Sequence, residues 1–281
     1  MSRADESRGF TLIELLVSMI VVATMMAGAV QLYLVQSRTN TQQDQSVAME
    51  ENLRLASAMV SDALRNARYA APRGNPSPWT TWVPNFTSNP LVTQGSGSNP
   101  DTLSIAACFQ EPVAKLSACV GTPGCPVAIG VTSVSVTPTD PNTNLTDLLD
   151  TSDKGLVRIG ETDEFAFVTS VNSTSIGVDT DTAAGTQGIQ KPHPIDAEIC
   201  RVDVITFSIG NDPTTGLPRL LRDANQGGGA QPAAEGINDL QITLTPPKTY
   251  QVSLRGRSEA NDPMTGAPLQ RPLASTITLR N

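Results

Sequence analysis

The chain has 281 residues, enough for one large domain or two small ones with a sizeable core. It is polar and rich in small residues, 39% hydrophobic and 4% aromatic with 21 Gly and 21 Pro. Its formal charge of −8 is repelled by phosphate backbones, which argues against nucleic acid as a partner.

The first nine residues hold Arg3, Asp5, Glu6 and Arg8 and are neutral in sum. From Arg8 the chain reads RGFTLIELLVSMIVVATMM, an apolar run interrupted by one carboxylate, Glu14. Phe10 to Val35 is 26 residues with that single charge. As a helix rising about 1.5 Å per residue it is roughly 39 Å long and crosses a bilayer core of about 30 Å. A cleaved signal peptide is the competing reading, because MAGA at Met26–Ala29 offers small residues where a signal peptidase would cut. Two features oppose it. A carboxylate at membrane depth costs on the order of a few kcal/mol, and the helical pattern does not stop at Ala29.

Between Gln36 and Ala70 there is no Pro or Gly. Met49, Leu53, Ala56, Met59 or Val60, Ala63 or Leu64 and Ala67 recur at three- and four-residue steps and form one apolar stripe. Glu50 with Arg54 and Asp62 with Arg65 are spaced to pair along the helix. Pro72, in APRG at Ala71–Gly74, disfavours helix at Ala71. The expectation is one helix, membrane-compatible over 10–35 and amphipathic over 36–71.

Residues 72–100 read as a connecting loop, with Trp79 and Trp82 as packing anchors in preference to contacts with a neighbouring subunit. Strand patterns follow at Asp101–Ala107, Val131–Thr137, Glu164–Val171 and Arg201–Ile209. Near the end, Leu240, Ile242 and Leu244, then Val252 and Leu254, then Leu273, Ser275, Ile277 and Leu279 alternate with outward positions. Period two with one apolar face means antiparallel sheet covered on one side, and the helix stripe is the natural cover. NDPTTGLPR at Asn211–Arg219 and NDPMTGAPL at Asn261–Leu269 carry the same turn chemistry and read as two hairpin loops. The class is therefore α+β, with a β-rich domain over 101–281.

Four cysteines, Cys108, Cys119, Cys125 and Cys200, follow the apolar segment. In an exported domain they read as two disulfides, with three possible connectivities. Zinc ligation lacks a CxxC, and the one histidine, His193, stands in a Pro-flanked loop, so no metal or cofactor is expected. Asp140, Asn142, Asn144 and Thr146 are spaced like the start of a calcium loop. Leu145 stands where that loop needs Gly, and Thr151 where it needs Glu. No G-x-S-x-G occurs, one histidine supports no dyad, and no carboxylate pair is singled out, so no catalytic residue is assigned and the chain is expected not to be an enzyme.

RGFTLIELL, with Gly9, Phe10 and Glu14, resembles the signal of type IV pilins and pseudopilins. The resemblance implies a long N-terminal helix packed on an antiparallel sheet domain. It implies cleavage by a prepilin peptidase between Gly9 and Phe10, after a leader of residues 1–9, and N-methylation of Phe10. It also implies pairing of Glu14 with the amine of a neighbouring subunit's Phe10 during assembly. The α-amino group is cationic at neutral pH, and a carboxylate inside an apolar bundle needs such a partner. No proline breaks the helix, and the chain is nearly twice the length of a typical major pilin, which points away from the bulk filament subunit.

In the C-terminal half, Gly236, Ile237, Asp239, Leu240, Gln241, Leu279, Arg280 and Asn281 resemble the motifs of the PilW family of minor pilins, related to the J-type pseudopilins of type II secretion. A segment near 108–162 looks like an insertion. The PilW resemblance implies a minor pilin, held as a single-pass inner-membrane protein with a periplasmic C-terminal domain and then moved to the surface pilus. The partners it implies are other minor pilins, the major pilin, the platform protein and a PilY-type tip adhesin. A J-type pseudopilin is the nearest alternative, and a secreted binding or enzymatic domain cut after Ala29 is the alternative of another class.

Overall fold

The computed structural model describes residues 12–67, 90–142, 144–149, 155–160, 164–180, 186–224, 228–246, 249–262 and 265–279. It has the α+β architecture expected: one long helix, α1 (Leu12–Asn66), followed by antiparallel strands. The helix closes at Asn66, where the Ala67 amide reaches the carbonyls of Ala63 (3.0 Å) and Leu64 (3.1 Å). That is short of the expected stop; Ala71–Gly74, Trp79 and Trp82 lie outside the described residues.

The chain divides into two compact units, residues 1–48 with 258–269, and residues 49–257 with 270–281. In the first, α1 is exposed at every residue from Leu12 to Thr41. The hydroxyls of Ser18 and Thr24 donate back to carbonyls of Leu15, Ile20 and Val21, so they are satisfied without water, as an apolar environment requires. Further along, Gln42 Nε2 donates to Asp262 Oδ1 at 2.6 Å. Asp262 is buried and opens the second NDP turn, accepting from the Gly266 amide through its carbonyl and from Thr265 Oγ1 through its carboxylate.

The second unit holds the C-terminal part of α1 and three strand assemblies. Met49, Leu53, Ala56, Val60, Ala63, Leu64 and Ala67 are all buried, so the stripe falls on the predicted face, with Val60 rather than Met59 taking the inward position. It rests on a three-stranded sheet of β11 (Ile237–Thr245), β12 (Thr249–Asn261) and β13 (Pro268–Thr278). Helix and sheet come close at Gly256 of β12, where a Cβ would lie 2.8 Å from Leu53 Cδ1 and 3.0 Å from Met49 Cγ. Glu50 takes Arg271 of β13 as its ion-pair partner, not the Arg54 that its spacing suggested.

A second sheet contains β1 (Leu91–Thr93), β2 (Thr102–Ala107), β8 (Glu198–Asn211), β9 (Pro218–Asp223) and β10 (Gln231–Glu235). Within it β2 pairs β8 from Leu103↔Phe207 to Ala107↔Asp203. Leu91–Thr93 was expected as loop; three residues are too few to show an alternation.

Between β2 and β8 the chain makes a long excursion. Its strands are β3 (Ala114–Leu116), β4 (Ser133–Pro138), β5 (Leu156–Ile159), β6 (Glu164–Val171) and β7 (Ser175–Asp179). Together with the start of β8 they pair in the order β8-β3-β4-β7-β6-β5, and β5 pairs β8 again, so the ring is closed. β5, β6 and β7 are consecutive antiparallel neighbours, while β4 lies beside β7 and reaches β5 by a long connection, a Greek-key arrangement. The connection carries a short helix, α2 (Leu145–Leu148). Leu145 and Leu149 are buried with Leu116, Val134, Val136, Ile159 and Ile176 in the barrel core. The barrel takes in the 108–162 segment and runs on through β6 and β7 to the start of β8. Closing a ring removes both sheet edges, which is how so short a set of strands becomes a stable unit.

The connectivity left open by the sequence is Cys108–Cys200 and Cys119–Cys125, with Cα separations of 5.9 and 5.7 Å. The first bridge spans the neck of the barrel, one residue beyond the last β2–β8 pair on β2. Phe165 and Phe167, on the outer side of β6, pack with Ala106, Leu156, Val202 and Val204 beside Cys108 and close the neck with a second apolar cluster.

Candidate functional site

Two regions carry the functional chemistry: the amino-terminal part of α1 and the barrel. In α1, Glu14 sits in the first described turn, in an apolar stretch that is exposed throughout. A carboxylate at a helix N-terminus is favoured by the exposed amides there. This helix is long and apolar enough to cross a membrane. Gly9 and Phe10 lie outside the described residues.

Residues 6–30 match the prokaryotic N-terminal methylation motif. That match supports a type IV pilin-like protein. It spans Gly9, Phe10 and Glu14 and ends within the exposed apolar stretch of α1. No curated protein and no solved structure matches the chain. The motif implies processing by a prepilin peptidase and partners in filament assembly, and with the apolar helix it suggests a membrane anchor and a pilus.

The C-terminal residues of the pilin resemblance have structural work within their own unit. Gly236 joins β10 to β11 at φ +69°, and a Cβ there would lie 2.6 Å from the Arg257 carbonyl oxygen. That oxygen belongs to the residue whose amide donates to the Gly236 carbonyl at 2.6 Å. Ile237 and Leu240 are fully buried, and Leu279 is buried. Gln241 Nε2 donates to Asp239 Oδ1 and to the Asn99 carbonyl. Arg280 and Asn281 lie outside the described residues.

Asp101, which the sequence offered only as the start of a strand, ties this edge together. Its amide donates to Leu240 O at 2.7 Å, and its carboxylate accepts from the amides of Ile242 (2.7 Å) and Gly95 (2.9 Å). In the first NDP turn, Asp212 accepts from the amides of Thr214 and Thr215 and pairs with Arg219 at 2.7 Å. The Thr215 and Thr214 amides, then the Arg219 guanidinium, hold its carboxyl below its ordinary value of 3.8.

The barrel holds most of the remaining chemistry. Residues 108–200 contain twelve Asp and Glu against four Lys and Arg, so this segment accounts for the formal −8 of the whole chain and the rest is neutral. His193 is fully buried, not an open loop histidine, and its Nε2 lies 2.7 Å from Glu164 Oε2. Glu164, at 5% exposure, also accepts from the amides of Gln190 (2.6 Å) and Lys191 (3.1 Å). A buried carboxylate is tolerable when its lone pairs are satisfied in this way. The pair is 29 residues apart in sequence, and no motif announces it.

The calcium-like run is divided between two roles. Asp140 accepts from the Asn142 amide, whereas Leu145 starts α2 and is buried in the barrel core. Among the described residues no three or more His, Cys, Asp or Glu side chains converge on one point that would hold a metal.

Proposed function

We propose that this protein is a minor pilin that helps to prime assembly of a type IV pilus and sits in a tip complex. The observation that carries the proposal is the methylation motif running directly into an exposed apolar helix, on a chain whose remaining bulk is a disulfide-bridged β domain. A segment that is to be cut off after export has no need to continue into a 55-residue helix whose far end is packed in a folded core. In the proposed cycle, residues 10–35 hold the chain in the inner membrane with the β domain outside. Glu14 then docks on the methylated Phe10 amine of a neighbouring subunit, and other minor pilins, the major pilin, the platform protein and a tip adhesin complete the assembly.

The assignment within the family rests on the PilW-like residues around Gly236–Gln241 and at Leu279. The same N-terminal design serves J-type pseudopilins, whose filament belongs to a secretion system. A deletion strain separates the two: a minor pilin predicts loss of surface pili and of twitching with secretion intact, and the reverse phenotype would assign the chain to secretion.

A further inference from the structure

We propose that one end of the barrel, formed by the loops 117–131 and 190–197, is a docking surface for a second, different protein that presents an apolar and aromatic patch within a basic rim. Three observations carry it.

The first is exposure. Ile129 and Ile195 are 47% and 58% exposed, and the only other large apolar side chain so exposed outside α1, among the described residues, is Leu244. Pro123, Pro126, Pro192 and Pro194 are exposed on the same two loops. The Ile129 side chain lies against Gly121, whose other neighbour is the Pro192 backbone, so the two loops present one continuous surface.

The second is rigidity. Val120 and His193 exchange both backbone hydrogen bonds, at 2.7 and 2.8 Å. The Gly121 amide donates to Val127 O, Gly130 to Ile189 O and Ile189 to Val131 O. The Cys119–Cys125 bridge closes the loop tip, and beneath it Glu164 holds the amides of Gln190 and Lys191 and the His193 ring. The buried Glu164–His193 pair, which no catalytic role explains, is thereby a platform under the loop. Prolines, a disulfide and a buried polar support remove in advance the loop entropy that association would otherwise cost.

The third is charge. Between Lys115 and Asp140 the chain has no charged side chain, and the 190–197 loop carries one of each sign, Lys191 and Asp196, yet residues 108–200 as a whole have net charge −8. An apolar end of zero net charge on a segment of net charge −8 favours a basic counterpart. Proline faces suit aromatic side chains. A second copy of this chain would bring the same negative field to the contact, and an anionic lipid surface would do likewise, so both are disfavoured.

The test uses the full-length chain in the producing cell, with a photo-reactive amino acid placed at Ile129, at Ile195 or, as control, at Leu244. The expected result is one and the same heterologous protein trapped from 129 and 195 and not from 244. With that protein purified, Ile129→Ser with Ile195→Ser weakens binding by at least about tenfold, a hot-spot loss of about 1.4 kcal/mol, while the melting temperature is unchanged. The proposal is overturned by an adduct of twice the chain's own mass, by lipid adducts, by no adduct from either position, or by unchanged affinity of the serine variant. None of these outcomes depends on whether the chain belongs to a pilus or a secretion filament.

Discussion

Glu14 is the residue on which assembly is proposed to turn. It sits on an exposed, apolar stretch of helix, where a carboxylate is costly unless a cation meets it. Glu14→Ala is expected to leave membrane insertion intact and to abolish recovery of the chain in sheared filaments; normal recovery would refute the register role. Elsewhere single residues act through backbone geometry. Gly236→Ala places a Cβ against the Arg257 carbonyl at a positive φ and is expected to cost about 1–3 kcal/mol in denaturant unfolding. Asp212 has its carboxyl held below 3.8, so its contribution to stability is present above that pH and is lost as pH falls through the lowered folded value. The charge-free variant Asp212→Asn should therefore show a smaller fall in melting temperature than the wild type between about pH 5 and about pH 2. An equal fall would show that Thr214, Thr215 and Arg219 do not act on this carboxylate.

At the scale of elements, the helix and the strands with clean alternation were legible in the sequence. Glu164–Val171 coincides with β6 residue for residue, and the apolar stripe from Met49 to Ala67 is the buried face of α1, because a 3.6-residue period leaves few other faces to bury. What was not legible depends on contacts distant in the chain. β5 returns to β8 and closes the barrel through pairs such as Ile159↔Ile199, which no local pattern encodes. Glu50 pairs with Arg271 across 221 positions in place of Arg54 one turn away. The Glu164–His193 platform and the Cys108–Cys200 bridge are of the same kind. The methylation signal, by contrast, was fully legible, since its recognition is a linear chemistry of Gly9, Phe10 and Glu14. Leu53, at 3% exposure between α1 and Gly256, tests the helix packing. Leu53→Ala should destabilise the β domain by about 2–5 kcal/mol, and an effect below about 1 kcal/mol would mean that the stripe does not hold the domain on the helix.

For the whole molecule, the residues outside 108–200 sum to zero charge and carry an acidic barrel at the tip of the β2–β8 hairpin. Ala107 and Asp203 face each other directly, so residues 108–200 can be exchanged for Asn-Gly, which with Arg201 and Val202 makes a four-residue loop and leaves the register unchanged. The shortened protein is expected to melt cooperatively, with formal charge zero and with somewhat lower stability because Val204 and Ala106 lose the cover of Phe165 and Phe167. Loss of the cooperative transition would show that the barrel is required for the rest of the domain to fold. Retention of the apolar helix for assembly is read from the intact mass of the protein isolated from the producing cell. The expected mass is that of a chain that begins at Phe10 and carries one extra methyl group. A chain that begins at Val30, or one that retains residues 1–9 in assembled filaments, would contradict it.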